Sequence, residues 1–177
     1  MARGIATHEA EPEDAAGITV VGRKTWLSTY PNQGAGITTE DIEAAVNRRT
    51  VEEETSSAAE RIRNDASSRT WVVKDNGIVV GFAVVQKKED RNRIGAFYIL
   101  SDYQGMGIGG KLMQRALAWL GPDKEIYCEI VTYNTKALAF YKKFGFVDNG
   151  VVHNDVAKLP GGKEMPEIEM IWKTQRA

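Results

Sequence analysis

Apolar and β-branched residues in this chain come in short bursts between turn residues, and the spacing of those bursts shifts between helical and strand-like along its length. Residues 4–9 read as a short first strand, after which Pro12, Glu13 and Asp14 place proline and acids where a helix begins. That helix runs from about Asp14 to Tyr30, and the breaker-rich loop Pro31-Asn32-Gln33-Gly34-Ala35-Gly36 ends it. Thr38-Thr39-Glu40-Asp41 caps a second helix, and the polar stretch from Thr50 to Asp65 is helical too, its Glu52-Glu53-Glu54 block forming a solvated face. Two apolar runs, Arg69 to Lys74 and Ile78 to Lys87, flank Asp75-Asn76-Gly77, a tight hairpin turn. A turn near Glu89-Asp90-Arg91-Asn92 leads into a strand from Arg93 to Leu100. From Gly107 to Leu120 the residues Ile108, Leu112, Ala116 and Leu120 share one helical face, and Gly121-Pro122 ends the helix. A strand over 124–132, a helix over 134–144 and strands near 146–156 and 165–173 complete the chain. The order βααβββαβαββ predicts an α+β fold. No repeat or linker interrupts it, so a single domain over 1–177 is expected.

Composition narrows the function classes. Apolar residues make up 42% and charged residues 27%, with a net charge of −1, which describes an ordinary globular chain without the basic excess that nucleic acid or an anionic membrane would favour. The single cysteine, Cys128, cannot form an internal disulfide, and it reads as a buried apolar thiol. With no charged-then-apolar pattern in Met1-Ala2-Arg3-Gly4-Ile5 and no apolar run of membrane-spanning length, a cytoplasmic location is expected. His8 and His153 are isolated and the carboxylates are scattered, so no metal is expected.

The candidate chemistry begins where the strand Phe97-Tyr98-Ile99-Leu100 breaks at Ser101-Asp102 and enters Gln104-Gly105-Met106-Gly107-Ile108-Gly109-Gly110. Glycines between a strand and a helix let several amide N–H groups approach an anion, and the helix adds its positive end, so the loop reads as a phosphate nest. A P-loop would need Ser or Thr after Lys111, where Leu112 stands. A dinucleotide fold would place Gly105-x-Gly107-x-x-Gly110 in an opening βαβ unit, whereas here the glycines lie past mid-chain behind a hairpin.

The residues that follow choose among these readings. Gln104-Gly105-Met106-Gly107-Ile108-Gly109 matches the motif Gln/Arg-x-x-Gly-x-Gly/Ala, and Asn134 to Phe146 matches Asn-x-x-Ala-x-x-Phe-Tyr-x-x-x-Gly-Phe. In order and separation the pair resembles the GNAT superfamily of acyl-CoA N-acyltransferases, well over about residues 70 to 173 and loosely before them. The resemblance implies a GNAT fold, a mixed, mostly antiparallel twisted sheet that splays between two parallel strands and is flanked by helices. It also implies acetyl-CoA as cosubstrate, its pantetheine arm bonded to the main chain of Phe97, Tyr98 and Ile99 and its pyrophosphate on the amides from Gly105 to Gly110, including Met106, Ile108 and Gly109.

Individual residues carry more than one reading. Asn134 suits a helix N-cap, and the resemblance adds a contact to the CoA arm. Tyr141 lies two helical turns beyond Asn134 on the same side; it is either a core aromatic or, as the resemblance implies, the acid that protonates the leaving thiolate. Glu129 shares a strand face with Tyr127 and Val131, opposite Cys128 and Ile130, and a carboxylate there must reach solvent, pair with a cation or serve a site. Some GNAT members that modify protein N-termini carry a glutamate five residues before the asparagine as general base, and Glu129 holds that spacing. Others place an acid on the phosphate-loop strand, where this chain has Ile94-Gly95-Ala96. Trp26 and Tyr30 close the first long helix; packing suits Trp26, and the resemblance puts Tyr30 in the acceptor pocket. Acids at Glu40, Asp41 and Glu43 are explained by the helix dipole.

The expectation is thus an acetyl-CoA-dependent N-acetyltransferase acting by direct attack on a primary amine, either a small molecule such as a polyamine or a protein N-terminus. Tyr141 and Glu129 are its candidate catalytic residues. No nucleic-acid or membrane partner is expected, and the oligomeric state stays open between a monomer and the homodimer that is frequent in families of this kind. A non-catalytic acyl-CoA sensor and a dinucleotide-dependent oxidoreductase are the rival classes.

Overall fold

The computed structural model describes residues 4–154 and 158–173. Strand β1 (Ile5–Glu9) is followed by helices α1 (Ala15–Thr29), α2 (Thr39–Val46) and α3 (Val51–Asn64). Strands β2 (Ser68–Asp75), β3 (Ile78–Gln86) and β4 (Asn92–Ile99) precede helix α4 (Ile108–Leu120), and β5 (Ile126–Val131), α5 (Thr135–Lys143), β6 (Val147–His153) and β7 (Glu167–Trp172) follow. Positions 155 and 156, which the sequence pattern adds to the strand near 146–156, lie outside the described residues.

Three helices stand between β1 and β2, giving βαααβββαβαββ: the stretch from Thr50 to Asp65 is helical as expected, one helix more than the order βααβββαβαββ counts. That helix has its own start signal. Thr50 accepts the Glu53 amide at 3.1 Å while the Glu53 carboxylate takes the Thr50 amide at 2.7 Å, a reciprocal cap that satisfies two otherwise orphaned donors. Thr38 and Asp41 make the same box for α2. Arg23 of α1 then ties the α2–α3 junction down, donating to the Val46 carbonyl at 2.6 Å and pairing with Glu54 at 3.0 Å.

The seven strands form one sheet in the order β1-β2-β3-β4-β5-β7-β6. Among the described residues only the β4–β5 pair is parallel. The β2–β3 turn has Asn76 at φ 50° and Gly77 at φ 87°, the left-handed pair that matches strand twist. β3 is buried on both faces, which is why its sequence is almost continuously apolar. One face packs Val72, Phe82 and Val84 against Ile18 and Val21 of α1. The other packs Val73, Val80 and Ala83 against Ile108 and Leu112 of α4, and Ile126 and Cys128 against Met113 and Ala116. A third cluster, Tyr30, Ile37, Ile42, Val131, Leu159 and Met165, closes α2 and the segment before β7 over the end of β5.

Two irregularities open the sheet in its middle. β4 and β5 pair only at Asn92↔Ile126 and Arg93↔Tyr127. Along β3, Val84 faces Ala96 while Val85 faces Ile94, so Gly95 is an extra residue, a bulge that bends β4 where the pairing with β5 stops.

Candidate active site

Beyond Arg93 the two parallel strands part around a cleft of about 690 Å³ lined by Phe97, Ile99, the glycine loop, Glu129 and Tyr141. The Leu100 amide donates to the Val80 carbonyl at 3.0 Å, so alternation turns the main chain of residues 96, 98 and 100 toward β3. The main-chain groups of Phe97 and Ile99 therefore face the cleft. Those of Tyr98 face β3, which corrects the sequence-based expectation for this residue: it contributes its side chain instead.

The loop at one end of the cleft is braced before it can hold anything. Tyr103 donates to Asp75 at 2.9 Å, and the Gln104 amide donates to the Ile99 carbonyl at 2.9 Å, so the Gln104 side chain shapes the turn rather than reaching for a ligand. Gly105 and Gly107 both have φ 76°, and a Cβ at either would meet nothing within 4 Å. These two positions need glycine for their conformation and leave open space in front of the α4 N-terminus, whose first amides have no helical acceptor. Gly109 differs. A Cβ there would lie 3.1 Å from Phe140 and 3.4 Å from Ile99, so its role is the close packing of α4 against α5. At Gly110 a Cβ would lie 3.7 Å from Phe144, an ordinary contact. Ile108 is a core residue and Met106 points outward with 47% of its surface exposed, so both could offer a phosphate only their main chain.

Asn134 caps α5, its Oδ1 accepting the Ala137 amide at 3.1 Å. Tyr141 on the same side of α5 is buried, edge-on to Phe97 and Phe146 with centroids at 6.1 and 5.2 Å. Burial, with smaller contributions from the Cys128 thiol and the Tyr98 hydroxyl, pushes the Tyr141 phenol well above its ordinary pKa. It therefore stays protonated and can donate a hydrogen bond at any working pH. Burial also pushes up the Cys128 thiol, which keeps it inert.

Across the cleft stands an aromatic wall. Trp26 Nε1 donates to the Tyr98 hydroxyl at 3.0 Å, Tyr133 donates to the Tyr30 carbonyl at 3.0 Å, and the Trp26 and Tyr30 rings meet edge to face at 4.9 Å. Tyr30 lines both the main cleft and an adjoining cavity of about 380 Å³. Trp26, read from sequence as packing, also lines that second cavity.

The charged groups of the second cavity were only partly foreseeable. Glu129 lies at the meeting of both cavities with Arg93 beside it, Nη2 at 2.9 Å and Nε at 3.0 Å from the same oxygen, Oε2. Glu167 of β7, half-buried, has its pKa raised by burial and by the Glu129 charge, with Arg93 opposing. Sequence reasoning missed both Arg93 and Glu167. The available signal was a second acid alternating with Glu169 in an apolar strand, but only the β5–β7 register, with Glu167 opposite Val131, brings it to Glu129. Glu169 has the opposite character: hydrogen bonding to Arg91, above all, holds its carboxyl below the ordinary range. Among the described residues no group of His, Cys, Asp and Glu could hold a metal ion, and no helix is long and apolar enough to cross a membrane.

Comparison with known proteins places these features. The profile of the Acetyltransferase (GNAT) family matches residues 37–146. The chain is 35% identical over 85 residues to the spermine/spermidine N(1)-acetyltransferase of Bacillus subtilis (strain 168), a match covering 42% of this chain and 56% of that protein. It is 34% identical over 103 residues to the peptidyl-lysine N-acetyltransferase YjaB of Salmonella typhimurium, covering 58% of this chain and 63% of that protein. The chain thus spans 56% and 63% of the lengths of these two relatives. In three dimensions it resembles the PaiA N-acetyltransferase of Thermoplasma acidophilum, solved in complex with coenzyme A, with a TM-score of 0.74 over 96% of this chain and 99% of that one at 18% identity, a likeness of fold.

Proposed function

The chain belongs to the GNAT acetyltransferase family, and from that premise we propose that it transfers an acetyl group from acetyl-CoA to a primary amine by direct attack. The observation that carries this reading is the parting of β4 and β5 after Arg93↔Tyr127, which turns the main chain of Phe97 and the Ile99 amide away from any strand partner, beside a glycine cradle at one end and Tyr141 within the cleft. An extended pantetheine arm fits such an edge as an added strand would, and the pyrophosphate fits the open space before Gly105 and Gly107.

The neutral amine attacks the thioester carbonyl, the carbon–sulfur bond breaks as the tetrahedral oxyanion collapses, and the thiolate leaves. N–H groups on the free edge of β4 stabilise the oxyanion. Tyr141 donates to the departing sulfur. Its raised pKa makes full proton transfer favourable only because a thiolate in the same dry site is also desolvated and binds its proton more tightly.

The ammonium form of the acceptor must first lose a proton, since amines near pKa 10 are mostly charged at neutral pH. Glu129 and Glu167 are the carboxylates at hand. Glu129, oriented by Arg93, takes the proton directly or through water, and Glu167, whose affinity for a proton is raised, is the second carboxylate that can receive it. The named relatives suggest a polyamine or a lysine side chain as acceptor class.

Acetyl-CoA consumption across an amine panel tests the activity, and calorimetry of acetyl-CoA against NADH and ATP tests the cleft. Tight binding of acetyl-CoA alone with turnover of at least one amine is expected; NADH binding without acetyl-CoA binding would return the loop to the dinucleotide class.

A further inference from the structure

A third cavity, about 430 Å³, lies between α1, α3 and the β3–β4 strands, and it shares Trp26, Ala45, Arg93 and Gly95 with the acceptor cavity beside Glu167. Gly95, the bulge residue, lines all three cavities, so the bulge is the crossing point from the thioester cleft to the acceptor side and onward under α1.

Cationic side chains outnumber acids along this route. Arg23, Arg49, Arg61 and Arg93 line the third cavity with Glu54 as its one acid, and Arg48 and Lys158 join them from the acceptor cavity. Arg23 is neutralised by Glu54 at 3.0 Å and Arg93 by Glu129 at 2.9 Å. Arg49 lies beside Glu53, to whose carbonyl it donates at 3.0 Å, which leaves Arg48, Arg61 and Lys158 against Glu167. Arg61 is the informative member: it is half-buried, its Nε is fully buried without a hydrogen-bond partner among the described residues, and burial pulls its pKa down while the Asp65 charge opposes. A guanidinium N–H buried without an acceptor is unfavourable, and an oxyanion in the cavity would recover that cost through charge-assisted hydrogen bonds. Ser57, Thr19 and Gln86 add neutral polar groups to the same walls.

We infer that the acceptor is an amine bearing an oxyanionic group, a carboxylate or a phosphate, whose amine lies by Glu167 and whose anion lies in the Arg61 cavity. This inference rests on the acetyl-transfer reading and refines its substrate class. A polyamine would set a second cationic centre where cations already outnumber acids, the opposite of what the lining favours.

Matched amines that differ only in the distal group decide it: an amino acid against its carboxamide, a phosphorylated amino alcohol against its parent, and spermidine as the polycation. In the wild type the anionic member of a pair should have a kcat/KM about 10-fold or more above its neutral counterpart. Whichever anionic member leads identifies carboxylate or phosphate as the group held. Arg61→Gln should remove that advantage through KM and leave the neutral member unchanged. Spermidine or the neutral members turning over as well as the anionic ones, or Arg61→Gln slowing both members alike, would overturn the inference. Arg49→Gln, a substitution of an exposed residue that lines the same cavity, is the second variant and should also reduce the advantage of the anionic member. If no amine is acetylated the transfer reading fails, and the anion site is still judged by melting: inorganic phosphate or glutarate at constant ionic strength should raise the Tm of the wild type and not of Arg61→Gln. Equal shifts, or none, would dismiss the site.

Discussion

Arg93 holds Glu129 at the point where the parallel strands part, with Nη2 2.9 Å and Nε 3.0 Å from one carboxylate oxygen. Arg93 is also the last residue of β4 that pairs with β5, through Tyr127. Side chains thus carry on the link between the strands where main-chain pairing stops. The ion pair also leaves Glu167 as the neighbouring carboxyl with raised proton affinity.

Glu129→Gln keeps size and hydrogen-bonding reach while removing the charge. Turnover should fall, most at low pH, and converge with the wild type as pH rises and bulk water supplies the free amine. Rates across about pH 6 to 10 check this; parallel profiles would assign Glu129 to positioning. Arg93→Gln should shift the acid limb to higher pH, because removing the cation leaves two carboxylates that disfavour each other's charge.

Glu167 links function to stability with opposite signs. Its pKa is raised in the folded state, so the native protein loses stability as pH climbs from the ordinary carboxylate range through that raised value. Glu167→Gln should therefore melt higher than the wild type at neutral pH while its turnover drops. A variant that melts lower would make the carboxylate a structural partner.

Glu169 should behave in the reverse way. Arg91 at 2.7 Å and the Asn149 amide hold it as a carboxylate, and its depressed pKa gives stability that is present above the ordinary carboxylate range and lost as pH falls through the folded value. Glu169→Gln should cost about 1–3 kcal/mol at neutral pH, since a hydrogen bond to a charged group is lost while Arg91 keeps some access to solvent. Urea titrations at pH 7 and pH 4 check it: the two proteins should lie closer at pH 4.

Tyr141→Phe preserves the ring contacts with Phe97, Phe140 and Phe146 and removes one hydroxyl. A fall in kcat of about 10²-fold with little change in acetyl-CoA affinity is expected of a group that acts in the transition state. Wild-type kcat in this variant would return Tyr141 to the core.

The two kinds of loop glycine should separate experimentally. Gly107→Glu puts a charge into open space at a left-handed position and should abolish CoA binding in a protein that still folds, with about 1–2 kcal/mol of backbone strain. Gly109→Ala drives a methyl to 3.1 Å from Phe140 and should lower the Tm first. Calorimetry beside thermal melts distinguishes them.

Local chemistry made much of this protein legible in the sequence. The Asp75-Asn76-Gly77 turn, the Thr38 and Thr50 caps, the Gly121 stop and the Asn134 cap each act within a few residues, so each could be read in place. The loop and helix motifs, which the family profile spans as far as residue 146, carried the family for the same reason. What the sequence could not show depends on groups brought together from far apart. Arg93 meets Glu129 across 36 residues and Trp26 meets Tyr98 across 72, while Glu167 reaches the site only because β7 lies beside β5 instead of at the edge. Nor does any local pattern distinguish the inward-packed Gly109 from the open Gly107, or the cleft-facing main chain of Phe97 from that of Tyr98. Strand order, one bulge at Gly95 and the parting of β4 from β5 decide those, because they set which face and which edge each residue presents.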